Sequence, residues 1–169
     1  MSVADVNGIL STPVYAETLT VRHVAAGAER ETARATAAVQ TAAGWHSTVH
    51  ELAELPGLDL DEVDVVVLWG AEAAAGRDVV AGRRATVVVL GAADVRAVLT
   101  RPARWLAELR RAADTNLLLV PAALAERYTR WGPPVPLAHR PDGLPADDAV
   151  TVLSAWTARA YAFGRRPAA

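Results

Sequence analysis

Histidine, serine and tryptophan are the side chains in this 169-residue chain that could carry chemistry, and their spacing limits what chemistry that is. His46 and His50 stand four apart with Glu51 alongside, and imidazole plus carboxylate is a zinc donor set. No third ligand accompanies them, a half-exposed edge strand explains the same residues, and no metal is assigned. Ser2, Ser11, Ser47 and Ser154 are the serines, none in a G-x-S-x-G elbow or beside an evident His and acid. Trp69 closes a valine-rich run, where an indole could stack on a flat ligand or plug a crevice, or simply fill the core. Arg22 and His23 share a strand-like segment and are expected at the surface, and His139 is expected to be solvated.

What is missing is as informative. All seventeen basic residues are arginine, which removes a P-loop lysine and a Schiff-base lysine, both of which need a primary amine. Cysteine is absent too, so thiolate nucleophiles, disulfides and Cys-ligated metals are excluded. With nineteen acidic residues the formal net charge is -2, which offers no basic footprint for nucleic acid. Gly70, Gly76 and Gly82 do not form a dinucleotide fingerprint. Ala25-Ala26-Gly27 could let an anion approach a helix N-terminus, because free backbone N–H groups bind anions without side chains. No catalytic residue and no cofactor is assigned, and a non-enzyme is expected.

The elements that would position these residues alternate regularly. Residues 19–24 alternate like a strand and lead into an Ala-rich helix over 28–43 that stops at Gly44. Residues 46–50 read as a weaker strand, followed by a Pro56-Gly57 turn and a short helical piece at 60–63. Residues 64–70, 85–91 and 117–121 are runs dominated by Val and Leu, apolar but for Asp64 and Thr86, as strands buried on both faces are. Helical segments lie at 71–83, at 94–113, where Pro102 should split or kink the helix, and at 122–131. This alternation predicts an α/β class protein: a doubly wound five-stranded parallel sheet of flavodoxin-like order 2-1-3-4-5 with an extra C-terminal helix.

The organisation expected is an N-terminal arm (1–16), an α/β domain (17–131), a stiff Pro-rich linker (132–148) and a C-terminal helix (149–166). The arm has neither a basic start nor the apolar run of a signal peptide, and no stretch reaches the roughly 20 apolar residues of a membrane span, so a cytoplasmic location is expected.

Residues 111–121, running from Arg111 through Asp114-Thr115-Asn116 to Val120-Pro121, resemble the last strand of a response-regulator receiver domain, which ends in a Lys-Pro pair. Residues 86–91 are similar to its fourth strand, 64–69 to its third and 19–24 to its first. The resemblance spans residues 19–131 and rests on strand order and spacing. It implies a phosphorylation pocket, and this chain departs from it at every position: Ala25 and Ala26 stand for the Mg²⁺-binding acids, Trp69 for the phosphoryl-accepting aspartate, Gly91 for the hydroxyl residue and Val120 for the lysine. Mg²⁺ and a phosphoryl acceptor need carboxylate oxygens, which Ala and Trp lack.

The expectation is therefore a pseudo-receiver: a phosphorylation-independent regulatory module that works by protein contact, with a protein partner or a second copy of itself. Leu153, Trp156, Ala160, Tyr161 and Phe163 form the apolar stripe of the last helix, which would either fold back on the sheet or form that interface. The alternatives are a flavodoxin-like protein binding a small ligand or cofactor, and a scaffolding subunit of a larger enzyme.

Overall fold

The structure is a computed structural model that describes residues 18–74, 76, 79–80, 85–101, 115–122, 124–126, 137–140 and 146–164. In chain order the elements are β1 (Thr20–Ala25), α1 (Glu29–Ala42), β2 (His46–Glu51), a 3₁₀ segment (Leu52–Gly57), β3 (Val65–Trp69) and α2 (Gly70–Ala74). They continue with β4 (Ala85–Val89), α3 (Ala92–Thr100), β5 (Thr115–Val120), β6 (Leu137–His139) and α4 (Ala146–Gly164). All strand pairings are parallel, and the first five strands take the order 2-1-3-4-5 of a flavodoxin-like α/β fold.

The valine runs become inner strands because they have no polar face to offer water. Every residue of β3 is buried, and strand parity sorts the side chains between two cores. Val24, Val66, Leu68, Val88 and Val120 join Leu55 and Leu124 on one side of the sheet. Val21, Val65, Val67, Trp69 and Leu119 lie on the other, with Ala33 of α1 and Leu153, Ala158 and Ala160 of α4. Burying each Val or Leu contributes roughly 1.5–3 kcal/mol, which gives the sheet a large share of the apolar driving force. At its lower end Asp64 pins β1 beside β3: its carboxylate accepts the Thr20 N–H at 2.8 Å and its own N–H donates to the Thr20 carbonyl at 2.9 Å.

Several expectations need correction. The stretch expected to be a linker contains β6, which extends the sheet to six strands by pairing with β5, Val120 opposite His139. A three-residue strand is too short for an alternation signal, and its partner supplies the order. The Pro56-Gly57 turn lies inside the 3₁₀ segment, and residues 61–62 form a turn where a helical piece was expected. The described part of the helix expected at 71–83 is only Gly70–Ala74. The α3 helix ends at Thr100, ahead of Pro102, as the steric restriction on residues before proline requires. The expected arm lies outside the described residues, as do residues 102–114, 127–136 and 141–145.

Candidate functional site at the carboxyl end of the sheet

In a doubly wound sheet a ligand or signalling site belongs in the crevice outside the strand carboxyl ends, where successive connections leave on opposite faces. Here Ala25 is in register with Trp69, Trp69 with Val89, and Val89 with Leu119, so Ala25, Trp69, Gly91 and Val120 lie at the ends of four neighbouring strands, with Ala26 next along. The structure thus brings the five positions to one end of the sheet. It does not make a pocket of them, because Trp69 packs into one core and Val120 into the other. Trp69 is only 1% exposed, which leaves no indole face for a ligand to stack on.

Below Trp69 runs a chain of buried polar groups. The indole N–H donates to Nδ1 of His23 at 3.0 Å. Indole is a donor only, so Nδ1 has no proton and the neutral ring carries it on Nε2. That N–H lies 2.8 Å from Oε1 of Gln40 and 3.1 Å from Oγ of Ser47. The Ser47 hydroxyl also donates to Gln40 Oε1. Burial lowers the His23 pKa from 6.5 to about 4, against the opposing effect of the Gln40 hydrogen bond, and His50 adds a smaller repulsion. His23, expected at the surface, is therefore a fully buried neutral residue, whereas Arg22 beside it is half-buried.

This arrangement puts a serine hydroxyl within reach of a histidine, a relation the sequence spacing does not reveal, yet it is no nucleophile. A general base must present an unprotonated nitrogen to the hydroxyl, and Trp69 locks the ring in the opposite tautomer. The network is structural. It ties β3 through β1 to α1 and β2.

Above Trp69 the crevice is closed by an ion pair between residues 111 apart in sequence. Arg140, directly after β6, grips both carboxylate oxygens of Glu29 in the first turn of α1 at 2.8 Å each. The same guanidinium donates to the Leu90 carbonyl at 3.1 Å and lies 6.0 Å from the centre of the Trp69 ring. The two side chains are 14% and 15% exposed. Gly91 makes the seat possible: a β-carbon there would come within 3.0 Å of Arg140 Nη1 and overlap the Glu29 carboxylate. Asp94, the other acid nearby, accepts the Gly91 N–H at 2.7 Å and so caps α3. Both carboxylates are thus held by internal donors, and the residues here do not fit an Mg²⁺ site, which needs several free oxygens.

The remaining candidates separate. His46 and His50 lie on the edge strand β2, where four residues span about 13 Å, too far for one ion to bridge. Among the described residues no group of three or more His, Cys, Asp or Glu could hold a metal. On α4, Leu153 and Ala160 are core residues, 3% and 0% exposed, so this helix folds back on the sheet and does not offer them as an interface. Trp156 and Tyr161 are partly buried against the same core, and the Phe163 side chain lies outside the described residues. Among the described residues no helix is long and apolar enough to cross a membrane.

Two of the missed residues did leave a signal. His23 has the same strand parity as Leu19, Val21 and Ala25, and Gln40 continues the buried helical stripe of Ala33, Thr36 and Ala37. Glu29 and Arg140 left none, because nothing local links a helix start to an arginine among prolines. In comparisons with known proteins, no family model, no curated protein and no solved structure matches this chain.

Proposed function

We propose that this chain is a regulatory module of pseudo-receiver type, which acts through protein contacts without taking a phosphate. One observation carries the reading: the crevice where a doubly wound sheet does its chemistry is closed from below by Trp69 and from above by the Glu29–Arg140 pair. A module whose crevice is closed in this way, with no nucleophile or free carboxylate there among the described residues, has its surface left to work with. The burial of Trp69 also counts against the flat-cofactor alternative, which would need that ring face.

The test is direct. Purified protein is treated with acetyl phosphate, or with beryllofluoride, each with Mg²⁺, and followed by tryptophan fluorescence, intact mass and sedimentation. Unchanged mass, spectrum and association state are expected. A Mg²⁺-dependent change in any of the three overturns the proposal, and a thermal shift with flavin or nucleotide transfers support to the ligand-binding alternative.

A further inference from the structure

We infer that two copies of this chain join through their β2 edges, extending the six-stranded sheet of each across a two-fold axis at Thr48. The inference names the contact surface of the regulatory reading above and rests on it for its biological sense, while the geometry stands separately. β2 pairs with β1 on one side only, and on its other side it has no neighbour among the described strands.

The direction of each backbone group follows from the ladder. The His46 N–H donates to the Leu19 carbonyl at 2.8 Å, so in this parallel pair the groups of His46, Thr48 and His50 face β1. Those of Ser47, Val49 and Glu51 face outward. The Glu51 N–H confirms it, for the Glu54 carboxylate reaches round to accept it at 2.6 Å. At the other end the Trp45 N–H is held by the Gln40 carbonyl at 3.0 Å. Ser47 and Val49 are left between these two stops, with N–H and C=O groups that no described residue bonds.

That pair of residues is complementary to itself. In an antiparallel dimer centred on Thr48, the Ser47 N–H donates to the Val49 carbonyl of the second copy and the Val49 N–H to its Ser47 carbonyl. The two-fold axis repeats both bonds, so the free edge is satisfied with nothing left over. Thr48 then faces its own copy as a non-hydrogen-bonded pair, an arrangement in which two threonines pack favourably. Between the two stops β2 carries nothing that discourages the contact. Exposed edges are usually protected by charged side chains, proline, a bulge or brevity, and β2 is six residues long with no proline or bulge and its one acid, Glu51, at the capped end outside the Ser47–Val49 stretch. On α1, which packs over this edge, the exposed Ala38, Thr41 and Ala42 are small.

The chain has no cysteine, so Thr48→Cys makes a single-cysteine protein. Opposed residues of a non-hydrogen-bonded pair have Cα atoms about 4.5 Å apart, within disulfide range. Mild oxidation should convert Thr48→Cys to a covalent dimer far faster than Arg96→Cys, on the exposed surface of α3. Sedimentation of the unmodified protein should show a reversible dimer. Val49→Pro removes an outward N–H without touching the β1 ladder, and the loss of two bonds per dimer should raise the dissociation constant about thirtyfold. Circular dichroism verifies that this variant is folded, and the cysteine arm holds even if it is not.

A monomer at all concentrations, or equal cross-linking of the two cysteine variants, overturns the proposal. So does slow hydrogen exchange at Ser47 and Val49 in a monomer, since it would show the edge covered by the chain itself. A failed dimer leaves the phosphate experiment unaffected, because that experiment reads the crevice and not the edge.

Discussion

The indole N–H of Trp69 and Nδ1 of His23 meet at 3.0 Å in the interior, and that one bond decides the protonation pattern of everything beneath it. Because the donor cannot reverse, His23 must be neutral and must donate through Nε2. The orientation of the Gln40 amide follows, since its oxygen has to face the donors of His23 and Ser47. A nitrogen at that position would oppose a second N–H.

A histidine buried in the neutral state binds fewer protons when folded than when unfolded, so stability rises with pH between the two pKa values. For His23 these are about 4 folded and 6.5 unfolded. The contribution is complete above pH 6.5, declines as the pH falls and levels off below about 4, a total on the order of 3 kcal/mol. His23→Gln, which cannot titrate, should lose this slope. Urea unfolding of both proteins across this pH range measures the difference, and parallel curves for the two would refute the assignment.

Gly91 should tolerate no side chain while Glu29 is present. Gly91→Ala pushes a methyl into the Glu29 carboxylate and against Arg140, with an expected cost of about 1–3 kcal/mol. Arg140→Ala leaves the Glu29 charge partly buried and unpaired, at a cost of about 3 kcal/mol. In the double variant Glu29→Ala/Gly91→Ala the closer of the two obstructions is gone and only the Arg140 guanidinium remains, so the second substitution should cost clearly less than it does alone. A double-mutant cycle by chemical denaturation reads the coupling, and additive costs would contradict the geometry.

The packing of α4 on the sheet makes a further prediction. Leu153→Ala should destabilise the whole domain by about 2–5 kcal/mol, and Ala160→Leu by about 1–3 kcal/mol through overpacking. Both losses should appear in one cooperative unfolding transition. Were α4 a separate appendage, the main transition would not move.

The amino-acid sequence alone determined the class and order of the sheet. Three apolar runs rich in Val and Leu have no polar face, so they must lie inside a layered structure, and the segments between them leave few ways to connect parallel strands. It also determined which chemistry is absent, because missing lysine and cysteine need no coordinates to interpret. Only the tertiary structure decided what occupies the crevice. Trp69 could equally have stacked on a ligand; instead it is buried in the core beneath a pair formed by Arg140 and Glu29, which lie 111 residues apart. The sixth strand and the place of α4 were decided at the same level. A three-residue strand and an apolar helix take their roles from the surfaces they meet, and periodicity along one segment carries no information about a surface built by another.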